Sequence, residues 1–226
     1  MLTLWHCVNA RSFRALWALE ELGLSYELNL LPFPPRATRK DYFKLNPLGT
    51  VPLLVDGMTT MTESAAIPHY LAMKHAGGRM TLPVEHHEYG AYLNWLHHGE
   101  ATLTFPQTIY LRYALLETAE RRQLAVAEDY KIWFLARLRL LEQALVDDRK
   151  YLVGGCFTMA DISVGYAVFL ATQIGLASQL PVRSLQWARD LMSRPAFQSA
   201  QARQNDAAKA AGLSTATIPE WSRAVK

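Results

Sequence analysis

Asn46-Pro47-Leu48-Gly49-Thr50-Val51-Pro52-Leu53-Leu54 (NPLGTVPLL) carries a turn straight into a strand. Pro47 and Gly49 mark the turn, and Leu53, Leu54 and Val55 form a short apolar run of the kind buried in a sheet. Proline cannot donate to a ladder, so Pro52 at the mouth of a strand needs a reason. A cis Val51-Pro52 bond supplies one: it would turn the Val51 backbone outward, leaving its N–H and C=O to pair with an extended peptide lying alongside.

Further on, Glu63-Ser64 stands at the head of a helical pattern that runs through Tyr70 and Leu71. Helix starts attract carboxylates because their first N–H groups are unpaired and partly positive. Glu63 can accept from an ammonium. A strand mouth that pairs with a peptide, followed by a helix start that holds both charges of an amino-acid head group, resembles the glutathione transferases. There, a Val-Pro strand entry and a Glu-Ser pair hold the cysteinyl backbone and the γ-glutamyl end of glutathione. The resemblance implies that Val51, Pro52, Glu63 and Ser64 bind glutathione as co-substrate, with Thr50 near the glycyl end.

The order of predicted elements agrees with this. LTLWH reads as a strand, Ser12 to Leu22 as a helix stopped by Gly23, and YELNLL as a strand. Arg36 to Leu45 reads as a helix, PLLV and MTTM as a hairpin about Asp56-Gly57, and Glu63 to His75 as a last helix. By resemblance this is a thioredoxin-like α/β domain over residues 1–76. Gly77, Gly78 and Pro83 mark a linker at 77–84, and an all-helical domain follows over 85–226 with a second-substrate pocket. In that domain Tyr89, Leu93 and Leu96 share a helical face, as do Tyr130, Phe134, Leu138, Leu141 and Leu145. FTMAD, Phe157 to Asp161, is a capping box, with Phe157 placed to staple against Ile162. The family carries this box in its helical domain, and RPAF, Arg194 to Phe197, is a common late segment of its members.

Composition sets limits on the partners. The chain has 226 residues, half of them apolar, and a formal charge of +3 spread among acids rather than gathered in a run. That argues against nucleic acid and suits a small anion. No run is long enough to cross a bilayer and no basic leader precedes LTLWH, so a cytoplasmic protein with no membrane partner is expected. Cys7 and Cys156 lie far apart in unlike contexts, as reduced thiols would. His86-His87 and His97-His98 read as helix faces rather than metal ligands, because adjacent helical residues point about 100° apart. No metal is expected.

Chemistry on glutathione needs its sulfur as thiolate. A thiol of pKa about 8.5 is only about 3% ionised at neutral pH, so the loop after the first strand must favour the anion. That loop is His6-Cys7-Val8-Asn9-Ala10-Arg11-Ser12. Serine-type, theta-like relatives place a serine hydroxyl where this chain has Ala10, which leaves the Asn9 amide, the Ser12 hydroxyl, or the N–H groups of Arg11 and Ser12 as donors. Cys7 reads as a small residue closing the strand. Tyr110, Arg112 and Tyr113 are candidates to line the second-substrate pocket. The resemblance implies a cytoplasmic detoxification enzyme, a homodimer, that conjugates glutathione to a small apolar electrophile. Its rivals are a glutathione-dependent disulfide reductase or peroxidase, and a non-catalytic glutathione-binding protein.

Overall fold

The computed structural model describes residues 1–217. These form two compact units: Met1–Thr81 together with Ser193–Thr217, and Leu82–Met192. The expected helical domain extends to 226, and residues 218–226 lie outside the described residues.

The first unit begins with β1 (Leu2–His6), α1 (Phe13–Leu22) and β2 (Tyr26–Leu30). Helix α2 (Pro35–Thr38), strands β3 (Leu53–Asp56) and β4 (Thr59–Met61), and helix α3 (Ala66–His75) follow. The sheet has the order β2-β1-β3-β4; β1 and β2 are parallel, the other pairs antiparallel. Alternate residues of β1 are buried, as the period of two requires, so Leu2, Leu4 and His6 all face inward. An imidazole therefore stands at the end of the strand's core-facing row. Helix α1 stops at Gly23, whose left-handed backbone (φ 65°) lets the N–H of Leu24 reach the Leu19 carbonyl at 3.0 Å.

The expected helix over Arg36–Leu45 is instead one α-helical turn followed by a 3-10 turn, Lys40–Lys44. Arg39 breaks it, with an extended φ of −127°. Of the 3-10 turn only Tyr42 is buried, so no continuous apolar face rewards a longer helix.

The second unit is helical: α4 (Tyr89–His97), α5 (Phe105–Tyr110), α6 (Leu124–Ala144), α7 (Met159–Gln173) and α8 (Val182–Met192). π-Helical segments, His98–Thr104 and Leu111–Leu116, flank α5. Helix α7 is buried from Met159 to Ala171, the mark of a central helix. Its capping box is present: Thr158 N–H donates to Asp161 Oδ2 at 2.8 Å, and Asp161 Oδ1 accepts from Leu152 N–H at 2.9 Å. Gly99 packs so closely on α7 that a Cβ there would stand 2.5 Å from the Ser163 backbone. On α4 the buried residues are Tyr92, Trp95 and Leu96. Tyr92 and Trp95 thus fill this unit's own core.

The chain then returns to the first unit as α9 (Pro195–Ala210). The Phe197 ring meets Phe13 and Trp17 edge-on at 5.2 and 5.0 Å between centroids. Arg194 forks onto the Glu21 carboxylate at 2.6 and 2.8 Å. With the sheet on one side and α9 on the other, α1 buries nearly its whole circumference, Arg14 included.

Candidate functional site

The NPLGTVP loop is held from within. The Thr50 carbonyl accepts from the Tyr42 hydroxyl and the Asn46 amide, each at 2.8 Å, while Asn46 Oδ1 accepts from Leu48 N–H at 3.1 Å. Gly49 has φ 60°, and a Cβ on it would stand 2.7 to 2.9 Å from the Phe43 ring and the Arg36 side chain. Only glycine suits that position. The Val51-Pro52 peptide is cis. Val51 is half-buried, and neither its N–H nor its C=O has a hydrogen-bond partner among the described residues. A backbone donor and acceptor side by side at the end of β3 can pair with an extended chain. Thr50 is exposed beside them.

Glu63 and Ser64 precede α3, and the Glu63 carbonyl accepts from the N–H groups of Ala66 and Ile67. The Glu63 carboxylate is exposed, with no partner among the described residues. Ser64 is buried, and its hydroxyl accepts from Arg14 Nη1 at 3.1 Å. Arg14 is a residue that sequence reasoning missed. Fully buried, it brings a guanidinium to the start of α3, where it adds positive charge for an anion. A cation inside the otherwise apolar run FRALWAL was the signal that could have found it.

At the other candidate loop both predicted side chains have protein partners. Asn9, in the left-handed region (φ 53°), donates from Nδ2 to Thr217 Oγ1 at 2.8 Å and accepts at Oδ1 from Gln204 Nε2 at 2.6 Å. Ser12 is fully buried, with its hydroxyl 2.7 Å from His6 Nδ1 and 3.4 Å from the N–H of Cys7. His6 Nε2 lies 2.9 Å from Gln204 Oε1, which also accepts the Asn9 N–H at 3.0 Å. Burial holds the His6 imidazole neutral, lowering its pKa to about 4 against the opposing pull of the Gln204 bond. The Ser12 N–H has no partner among the described residues, and the first turn of α1 contains no acidic residue. An unpaired donor at a helix start is suited to an anion. Ala10 packs against a cluster of Cys7, Leu31, Tyr42 and Leu53. Burial pushes the Cys7 thiol up to about 12, so it carries no thiolate at neutral pH.

In the second unit, Tyr110 ends α5, and Arg112 and Tyr113 lie in the π-helical segment after it. Both tyrosines are half-buried; Arg112 is exposed, bonded to Glu117 at 2.9 Å, with its guanidinium 5.2 Å from the Tyr113 ring centre. His86 and His87 do not lie on a helix as the sequence reading assumed. They occupy the turn before α4 with their rings stacked at 4.5 Å, and with Glu88 they bring donor atoms within 4.8 Å of one another. Two of these residues are already engaged: His86 Nδ1 accepts Glu88 N–H at 3.1 Å and Glu88 Oε2 accepts the N–H of Gly154, from beyond the turn, at 2.8 Å. No helix among the described residues is long and apolar enough to cross a membrane.

A four-stranded mixed sheet with a cis-prolyl loop in one unit, and a second unit made of helices, is the glutathione transferase fold. The family "Glutathione S-transferase, N-terminal domain" matches residues 1–73. Glutathione S-transferase 3 of Schizosaccharomyces pombe is 30% identical, over 91% of this chain and 89% of its own length. Among solved structures, the theta class glutathione S-transferase of Xanthomonas axonopodis pv. citri, with glutathione bound, superposes with a TM-score of 0.73 at 27% identity, covering 88% of this chain and 96% of its own. Glutathione transferase URE2P6 of Phanerochaete chrysosporium, in complex with oxidized glutathione, gives a TM-score of 0.78 at 25% identity, covering 91% and 96%. The chain belongs to the glutathione S-transferase family and is a transferase enzyme.

Proposed function

We propose that this protein binds glutathione along the end of β3 and conjugates it to a small apolar electrophile. The observation that carries this reading is the Val51 N–H and C=O, half-buried without partners among the described residues, in the unit that also holds Glu63 and Ser64 at the start of α3. Val51 pairs with the cysteinyl backbone of glutathione. Glu63 accepts from its ammonium, Ser64 meets the γ-glutamyl carboxylate with the Arg14 charge behind it, and Thr50 lies toward the glycyl end. The bound tripeptide supplies a thiol whose anion attacks the electrophile. Since the Asn9 amide and the Ser12 hydroxyl are engaged with protein partners, the group offered to the sulfur is the Ser12 N–H at the start of α1. The Asn9 and Ser12 side chains fix the loop that presents it. This is how a theta-like site does without the serine that Ala10 replaces. Tyr110, Arg112 and Tyr113 are proposed to line the electrophile's pocket.

Ultraviolet titration of the thiolate in the glutathione complex tests the reading. A thiol pKa below the free value of about 8.5, with turnover of a test aryl halide, is the expected result. Glu63→Ala is expected to weaken glutathione binding roughly ten- to a hundredfold in calorimetry, the usual worth of a hydrogen bond to a charged group. An unchanged affinity would take Glu63 out of the site. A mixed-disulfide reaction at Cys7 gains no support, since that thiol is buried and its pKa high.

A homodimer acting in the cytoplasm, without nucleic-acid or metal partners, completes the proposal. Light scattering at micromolar concentration is expected to show twice the chain's 25.5 kDa; the single mass would overturn the assembly.

A further inference from the structure

Gln204 is fully buried on α9, and each of its hydrogen-bonding positions is used. Oε1 accepts from the Asn9 N–H at 3.0 Å and meets His6 Nε2 at 2.9 Å; Nε2 donates to Asn9 Oδ1 at 2.6 Å and to Gln201 Oε1 at 3.1 Å. A primary amide has two donor hydrogens and an oxygen with two lone pairs, so this set is complete.

One backbone group fixes the direction of every bond in the network. The Asn9 N–H can only donate, so the atom facing it is the Gln204 oxygen. His6 Nε2 must then carry its proton toward that same oxygen, which leaves the lone pair of the neutral imidazole on Nδ1. The Ser12 hydroxyl donates to that lone pair at 2.7 Å and accepts the Cys7 N–H with its own oxygen. A single side chain from α9 therefore bonds the left-handed Asn9 directly and the Ser12 hydroxyl through His6.

We propose that Gln204 is a positioning residue for the thiolate-binding loop, holding Asn9 and Ser12 so that the start of α1 is offered to the glutathione sulfur. This rests on the reading of the site given above. Gln204 touches neither reactant in that reading, so its effect falls on the chemical step rather than on the grip of Val51, Glu63 and Ser64.

The test uses Gln204→Met, which keeps the length of the side chain without the amide, and Gln204→Asn, which keeps the amide one methylene short. In whichever variant retains the wild-type near-ultraviolet circular dichroism, the bound thiol is expected to titrate about one pH unit higher, leaving about tenfold less thiolate, and about tenfold lower kcat, at a pH below both titration midpoints. The KM for glutathione is expected to stay within about threefold. A folded variant whose titration superposes on the wild type overturns the proposal and leaves the transferase reading standing. If the wild-type complex itself titrates like free glutathione, the transferase reading fails and the positioning role fails with it. Nitrogen NMR of the wild-type protein needs no variant: His6 is expected as the neutral Nε2–H tautomer at pH 6, and the Nδ1–H tautomer would break the network as drawn.

Discussion

Phe197→Ala is expected to lower the stability of the folded chain by about 3 to 5 kcal/mol, the usual range for deleting a buried aromatic ring. Phe197 is 3% exposed and sits edge-on to both Phe13 and Trp17, so its removal empties the contact that seats α9 on α1. Little around it can collapse into the space. The rings on α1 are held from behind by the sheet, and the Arg194–Glu21 fork fixes the entry of α9 one turn away. A urea midpoint at unchanged m-value gives the number. A loss below about 1 kcal/mol would mean that α9 is anchored elsewhere, by Arg194 and the Gln204 network alone.

Acid is expected to weaken the protein through His6. In the unfolded chain this imidazole protonates near 6.5; in the fold it stays neutral down to about 4. Between those values the unfolded chain binds a proton that the folded one refuses, so unfolding is favoured as the pH falls. The stability conferred by neutral His6 is complete above about 6.5, declines through the window, and is lost by about 4. The whole span is on the order of 3 kcal/mol. Asp161, whose carboxyl burial raises to about 6, acts in the opposite sense over part of the same range, so the measurement has to be a difference. Chemical denaturation of the wild type and His6→Gln between pH 7 and 4.5 isolates it. The variant is expected to lose less stability on acidification, and parallel curves would exclude His6 as the source.

Local signals were enough for the first unit's framework. The strand LTLWH, the stop at Gly23 and the hairpin about Asp56-Gly57 each depend on neighbours in the sequence and stand where they were expected, while the helix expected from Glu63 begins at Ala66, with Glu63 and Ser64 in the turn before it. The capping box at Thr158 and Asp161 was legible for the same reason. The helix over Arg36–Leu45 was misread because helix formers alone do not make a helix when only Tyr42 is buried. The candidate loop was half legible. Sequence pointed to Asn9 and Ser12, but not to what they touch, since Gln204 lies 195 residues from Asn9 and is, in the sequence, one more polar residue in QARQND. Nor did the pattern of α1 show that a second helix covers its outer side. An apolar circumference announces burial without naming the partner.

That second helix has a consequence for how the protein is made. In synthesis Met1–Thr81 comes before the second unit, with β1, α1 and the strands that pair with them already in hand. Yet the edge-on partner of Phe13 and Trp17, and the amide that His6 and Asn9 share, are missing until Phe197 and Gln204 emerge. The intervening helices can fold as they appear, because their core is their own. Translation therefore completes the second unit's residues before the first unit's, and the core around α1 closes only once Pro195–Ala210 has been made.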